Sequence, residues 1–205
     1  MRLFIFTASI VLLSCGQNSS DKQKEVITGD TTKIAGDTTI AAPGVKDNPP
    51  GYTTPDQSRV NGMLTARYGN KWHVLNDSEA KWMKDAFDYF IVPKRKENPN
   101  YPYIARGDYN ADGKEDMAAV ITDSLKNTYQ MAILLDTSKI ILWKEDILED
   151  AAISTVPKSE IEGMEGEKTK KVKLKGDGIN VEYFEKAAFV LYWSGREFKR
   201  IQTAD

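Results

Sequence analysis

Residues 101–122 read YPYIARGDYNADGKEDMAAVIT, and the pattern of this stretch predicts a pair of strands joined by a polar turn. Residues 101–106 and 116–122 follow the period-two pattern that is typical of strands. The polar centre between them holds Asp, Asn and Gly residues, which favour a tight turn. Because the connection is short, we expect the two strands to pair in the antiparallel direction.

The same pattern returns toward the C-terminus. It predicts strands over residues 129–135, 139–144, 170–175, 179–185, 188–193 and 198–202. Gly176-Asp177-Gly178 and Ser194-Gly195-Arg196 are typical of hairpin turns. Residues 147–152 are expected to form a short helical turn.

A helix is predicted before this series of strands. Asn76 is a favoured N-cap residue and is followed by acids in the first turn. Apolar residues then recur at helical spacing at Ala80, Met83, Phe87, Phe90 and Ile91. Pro93 is expected to end the helix. The predicted fold class is α+β, with an N-terminal helix packed on a mostly antiparallel sheet of six to eight strands.

The chain before this domain has a different composition. Residues 16–56 are rich in Gly, Ser, Thr, Asp and Pro and show no hydrophobic periodicity, which predicts a disordered tether. Residues 57–205 have the size of one ordinary domain and contain all four tryptophans. We therefore expect a single α+β domain over residues 57–205.

The N-terminus has the pattern of a processed targeting segment. Arg2 supplies a positive charge, residues 3–13 are apolar, and Ser14 precedes Cys15, which is the only cysteine in the chain. The apolar run is too short to span a bilayer, which needs about 20 residues. No disulfide can form within one chain, so an unpaired thiol needs another explanation.

The segment Leu12-Leu13-Ser14-Cys15 resembles the lipobox of bacterial lipoproteins. The resemblance implies a lipoprotein signal peptide over residues 1–14, cleavage before Cys15 and acylation of that cysteine. Residues 15–56 would then be the lipidated cysteine and its tether. The expected location is the bacterial cell envelope, lipid-anchored at the outer membrane, and the membrane is the first expected partner.

Residues 108–116 carry the chemically specific pattern of this chain. Oxygen-bearing side chains fall at alternate positions, Asp108, Asn110 and Asp112, so that a tight loop can turn them toward one centre. Gly113 supplies a sharp turn. The backbone carbonyl of Lys114 and the carboxylate of Asp116 would complete a set of oxygen ligands. With one water the set provides six oxygens, which suits structural calcium better than magnesium or a soft metal. The alternative is a plain hairpin turn, in which Asn and Asp-Gly are also favoured.

The same residues resemble the calcium loop of FG-GAP repeats and the first half of dockerin loops. By position, that resemblance implies Asp108, Asn110, Asp112, the Lys114 carbonyl and Asp116 as ligands. The pattern occurs once, and a propeller needs several repeats, so neither the propeller fold nor its activity is implied. The whole domain resembles Bacteroidota-type lipoproteins of unknown function that carry a single loop of this kind.

Charge and composition exclude several classes of function. There are 28 Lys and Arg residues against 30 Asp and Glu, for a net charge of −2, so no nucleic-acid partner is expected. The basic run at residues 168–175 predicts a strand whose lysines guard a sheet edge, with a patch for an anionic ligand as the alternative. With Cys15 acylated and His73 the sole histidine, Cys–His catalysis is excluded, and no catalytic residue is predicted.

These observations favour a calcium-stabilised, lipid-anchored envelope domain that binds a protein or a glycan without catalysis. An exposed aromatic strip would support glycan or protein binding. The aromatic residues concerned are expected to lie mainly in the core, with an exposed strip as the alternative; they are Tyr183, Phe184, Phe189, Tyr192, Trp193 and Phe198. One alternative is a carboxylate-dependent hydrolase of envelope polymers. The other is an inhibitor of a periplasmic or host enzyme that uses residues 157–167 as a protruding loop. The sequence leaves the oligomeric state open.

Overall fold

The structure is a computed structural model and describes residues 53–123, 125–136 and 139–204. The predictions for the signal peptide over residues 1–14, for lipidation at Cys15 and for nearly all of the tether lie outside these residues. Among the helices that are described, none combines the length and the apolar content needed to cross a membrane.

Helix α1, Pro55–Tyr68, opens the described domain. It begins with a capping box, in which the Thr54 hydroxyl accepts the Gln57 N–H and the Gln57 side chain accepts the Thr54 N–H. Val60 and Leu64 on one face are fully buried. The helix starts two residues before the expected domain boundary at residue 57.

The second helical region is α2 (Lys84–Ala86), a π-helical turn (Phe87–Ile91) and α3 (Val92–Glu97). The predicted helix from Asn76 to Pro93 is wrong at both ends. Asn76 caps only a local turn, since its side-chain oxygen accepts the Ser78 N–H. The helix continues through Pro93, a residue that would crowd the carbonyl four positions earlier in a regular helix. The wider π turn immediately before it, closed by the bond from Val92 N–H to the Phe87 carbonyl, accommodates the ring.

The first sheet has five strands. They are β1 (His73–Val74), β2 (Ile104–Gly107), β3 (Asp116–Asp123), β4 (Thr128–Leu135) and β5 (Lys139–Leu142). The order is β1-β3-β4-β5, and β2 pairs with β3 on the stretch beside the part that pairs with β1. All pairings are antiparallel.

The second sheet has six strands. They are β6 (Ala151–Val156), β7 (Glu160–Glu165), β8 (Lys168–Lys173), β9 (Gly178–Tyr183), β10 (Ala187–Trp193) and β11 (Phe198–Ala204), in the order β6-β9-β10-β11-β7-β8. Its pairings are also antiparallel. The predicted helical turn over residues 147–152 is therefore wrong, because β6 begins within it. The predicted loop over residues 157–167 is also wrong, because it contains β7.

Strands β6 and β7 form one arm of a long bent hairpin, and β8 and β9 form the other. Val156 pairs with Gly178, and Glu160 pairs with Lys173, so three residues on one side face four on the other. The extra residue bends the hairpin as a β-bulge does. Gly176-Asp177-Gly178 lies at this bend and is not the predicted hairpin turn. The predicted turn at residues 194–196 is confirmed, since it joins the paired strands β10 and β11.

The main hydrophobic core contains residues from α1 and from both sheets. Fully buried examples are Leu64, Ile104, Ile121, Ile133, Ile179 and Leu191. A second, smaller core, Val172, Leu174, Val190, Tyr192 and Ile201, lies where β8 packs against β10 and β11. The prediction of a largely antiparallel β structure is confirmed. The single sheet of six to eight strands is instead two sheets with eleven strands in the described residues.

Candidate functional site

The acidic loop joins β2 to β3, which pair from Gly107 opposite Asp116 onward. Two loop residues have left-handed backbone conformations, Ala111 with φ 63° and Gly113 with φ 81°. Glycine adopts that region freely, whereas alanine loses about 1–2 kcal/mol there. The two conformations turn the chain sharply and direct consecutive N–H groups into the loop.

Three predicted ligands meet on this turn. The Asp108 carboxylate accepts the N–H groups of Asp112 and Gly113, both at 3.0 Å. The Asn110 oxygen accepts the Asp112 N–H at 2.9 Å. The Asn110 amide in turn donates to the Asp112 carboxylate at 3.0 Å. Asp108 and Asn110 are half-buried and Asp112 is exposed, so this part of the loop opens to solvent.

Asp116 lies beneath the turn and is 1% exposed. One carboxylate oxygen accepts the N–H groups of Tyr109 (3.0 Å) and Asn110 (3.3 Å), and the other accepts the Asp136 N–H at 3.3 Å. Burial raises the pKa of this carboxyl, and the backbone donors act in the opposite direction. Asp116 therefore fixes the loop to the turn between β4 and β5.

Lys114 is the remaining predicted ligand, through its backbone carbonyl. Its N–H donates to the Asp112 carboxylate at 2.9 Å. Its ammonium lies 3.8 Å from the Asp136 carboxylate and is mostly exposed. The Lys114 side chain thus points away from the turn and toward the β4–β5 connection.

The side chains of the acidic loop form a partial set of ligands for a cation. Asp108, Asn110 and Asp112 come together, whereas Asp116 lies below them. Within the described ranges, no three His, Cys, Asp or Glu side chains converge closely enough to hold a metal ion. The chemistry nevertheless suits a hard cation, because the oxygens are carboxylate and amide oxygens. A carboxylate has about four lone-pair sites, so an oxygen that accepts one N–H still has a lone pair for an ion.

Asp177 is a residue of this site that sequence reasoning missed. Its N–H donates to the Asp108 carbonyl at 2.8 Å, and its carboxylate accepts the Asp108 N–H at 3.0 Å. The second carboxylate oxygen accepts the Lys158 N–H at 2.9 Å. Asp177 therefore connects the loop to both arms of the bent hairpin. The Gly-Asp-Gly motif marked this position as a turn, but its partner lies 69 residues away.

A series of side-chain hydrogen bonds supports the same junction between the loop and the second sheet. The Thr155 hydroxyl donates to the Arg106 carbonyl at 2.6 Å. Because that hydroxyl has one proton, the Tyr109 hydroxyl, 2.9 Å away, is the donor to Thr155. Tyr109 is fully buried, and burial raises the pKa of its phenol. The loop thus packs on β6 through a buried aromatic side chain.

The N-terminus of α1 lies beside the loop. Arg106, at the end of β2, forms an ion pair with Asp56 of α1 and a second one with Glu115 of the loop. The hydrogen-bonded Arg106 guanidinium holds the pKa of Asp56 below its ordinary value. These contacts place the point at which the preceding chain enters the domain next to residues 106–115.

The aromatic residues between positions 183 and 198 lie mainly in the packed interior, as expected, and the alternative of an exposed strip is not formed by the described residues. Phe189, Tyr192 and Phe198 are buried. Phe184 packs against Phe90, with ring centroids 5.3 Å apart, and Trp193 packs on Phe198 at 5.1 Å. These rings belong to the packing of the domain, because strand alternation places apolar layers on both faces of the second sheet.

The sole histidine, His73, and the strand carboxylate Glu182 both have structural partners. The His73 ring lies 2.8 Å from the Glu79 carboxylate, and Glu182 lies 3.7 Å from the Lys94 ammonium.

Comparison of the chain with family models, with curated proteins and with solved structures found no match.

Proposed function

We propose that the chain is a lipid-anchored interaction domain of the bacterial cell envelope, without catalysis, in which calcium stabilises the loop at residues 108–116. The lipobox-like sequence ending at Cys15 supports lipid attachment and an outer-membrane location. The Gly-, Ser- and Thr-rich residues after Cys15 would act as a tether. Partners of such a domain would be the membrane and an envelope protein or glycan.

The calcium site would use Asp108, Asn110, Asp112, the Lys114 carbonyl and Asp116. Support comes from the left-handed conformations of Ala111 and Gly113, which gather three of these side chains on one turn. An exposed site with few fixed ligands would be weak, with a Kd of about 10⁻⁴–10⁻³ M. Such a site is filled in calcium-rich surroundings.

The single observation that carries a structural role is the position of the loop. It contacts the bend of the second sheet through Asp177 and the β4–β5 turn of the first sheet through Asp116. A cation there would reduce repulsion between the Asp108 and Asp112 carboxylates, which meet on the turn. It would thereby stabilise the contact between the two sheets.

The proposal also includes the α+β arrangement of the fold. An N-terminal helix packed on the first sheet is supported by buried Val60 and Leu64 in the main core. It is supported further by the Val74 N–H of β1, which donates to the Asn61 side chain of α1 at 2.7 Å. The interaction role would then use the exposed strands of the second sheet.

Thermal unfolding of the full mature chain, measured with calcium and with a chelator, tests the proposed calcium site. The quantity compared is the Tm of the domain at residues 53–205. We expect chelation to lower the Tm of the wild type and Asp112→Ala to abolish the difference. Asp146→Ala is the matched control, because Asp146 is exposed and distant in sequence. Identical wild-type curves with calcium and with chelator would remove the proposed site.

The lipid part is tested separately in cells by labelling with a radioactive fatty acid. We expect label on the wild-type chain, and neither label nor membrane association for Cys15→Ser. Membrane association of Cys15→Ser equal to that of the wild type would contradict the proposed anchor.

A further inference from the structure

Strand β8 is the outermost strand of the second sheet. It pairs with β7, and no other described strand pairs with it. The Leu174 N–H donates to the Ser159 carbonyl at 2.9 Å, in register with the β7–β8 ladder. Because bonded positions alternate in an antiparallel ladder, the backbone groups of Thr169, Lys171 and Lys173 point away from β7. The edge therefore presents a row of outward donors and acceptors.

Lysines border this edge on both faces of the sheet. Lys171 and Lys173 lie on one face, and Lys168 and Lys170 lie on the other. Lys170 is 2.5 Å from Glu165, and Lys171 is 3.4 Å from Glu162. In the part of the chain that the structure describes, Lys168 and Lys173 have no ion-pair partner. With Glu160, Glu162 and Glu165 of β7 and Glu167 of the turn counted, the four lysines are balanced by four glutamates, and the lysines are the charged side chains of the outermost strand.

Within the described residues, β8 has none of the other usual protections of a sheet edge. Residues 168–173 contain no proline and run in one register with β7, without a bulge. Two copies of the edge would place lysine against lysine, which disfavours self-association. A strand with acidic side chains would meet opposite charge instead.

We propose that the β8 edge is a docking strand for an extended acidic segment of a partner protein. Backbone hydrogen bonds to Thr169, Lys171 and Lys173 would supply affinity, and the lysines would select for acidic side chains. This inference names a partner class for the proposed interaction role and rests on that role. It does not depend on calcium in the loop.

The experiment uses the mature chain and a capped synthetic peptide of alternating glutamate and valine, followed by ¹⁵N–¹H NMR. We expect saturable shifts at the amides of Thr169, Lys171 and Lys173. Lys171→Pro removes one outward N–H without removing a bond to β7, so it should abolish these shifts. The double change Lys171→Glu with Lys173→Glu should weaken binding by about tenfold or more, because it reverses the charge.

Lys126→Glu is the matched control, because Lys126 is an exposed lysine of the β3–β4 turn. It should bind the peptide as the wild type does. No saturable binding to the wild type, or equal binding to all variants, would overturn the inference. So would self-association of the chain through β8. Should Lys171→Pro fail to fold, the charge-reversed pair decides.

The two proposals fail in distinguishable ways. Peptide binding without any effect of calcium on the Tm would contradict the proposed calcium site and support the β8 edge as a docking strand. Capture of an envelope protein that is unaffected by the β8 variants would retain the interaction role and overturn the edge as its surface.

Discussion

Removal of the Asp177 carboxylate should weaken the junction between the two sheets more than its half-buried position suggests. In Asp177→Ala, the N–H groups of Asp108 and Lys158 lose their acceptor. A hydrogen bond to a charged group contributes about 1.5–3 kcal/mol, and exposure of the Lys158 bond places it at the lower end. We therefore expect the free energy of unfolding to fall by about 2–4 kcal/mol.

Urea unfolding monitored by tryptophan fluorescence measures this change. For a domain of this size the loss corresponds to a decrease in Tm of roughly 5–10 °C. Asp177→Asn retains one side-chain oxygen and should lose roughly half as much. Amide hydrogen exchange should accelerate at Asp108 and Lys158, where the donors become free.

Asp146→Ala serves as the control and should change the free energy by less than about 0.5 kcal/mol, as surface substitutions generally do. A loss below about 0.5 kcal/mol for Asp177→Ala would refute the reasoning. It would mean that the loop and the hairpin are held together by packing alone.

Two further predictions concern the same region. In Gly176→Ala the added Cβ would clash with the Asp108 carbonyl oxygen, so we expect the free energy of unfolding, measured in urea, to fall by more than about 2 kcal/mol. In α1 nothing lies near the Cβ that Gly62→Ala would add, so that change should raise the free energy of unfolding by about 1 kcal/mol. Equal effects of the two glycine changes would contradict the close approach at the bend. Because the Arg106 guanidinium holds the pKa of Asp56 below its ordinary value, the ion pair contributes stability that is present at neutral pH and is lost as the pH falls through the folded-state pKa. Asp56→Asn should therefore flatten the decline in Tm below about pH 4, and an unchanged pH profile would oppose this assignment.

The regular strands could be predicted because the alternation of apolar and polar residues along the chain reflects which face of a strand is buried. Strands β3, β4, β10 and β11 lie where the period-two pattern placed them, within one or two residues at each end. Strand β7 lacked that signal, since the sequence Glu-Ile-Glu-Gly-Met-Glu has few apolar residues. In the structure its glutamates stand opposite lysines of β8 and Ile161 packs against the smaller core, and both contacts become visible only once the strands are paired.

The helices were misjudged for local reasons. The capping box at Thr54 and Gln57 was present in the sequence, but the Pro- and Gly-rich context before it resembled a tether. Pro93 has the usual meaning of a helix end, and the π turn before it removes that constraint.

The acidic loop was predictable as a unit, whereas its surroundings were not. Spacing alone brings Asp108, Asn110 and Asp112 onto one turn, because alternate residues of a tight loop share a side. Asp177 and Thr155 come from strands far along the chain, and their contact with the loop depends on how the two sheets pack. No pattern within the loop encodes that packing.

The most direct test of the calcium site is a titration of the mature chain with calcium, followed by ¹⁵N–¹H NMR. We predict saturable shifts centred on the amides of residues 108–116 and of Asp177, with a Kd of about 10⁻⁴–10⁻³ M, and their loss in Asp112→Ala. The absence of saturable shifts in these amides up to about 10 mM calcium would contradict the site.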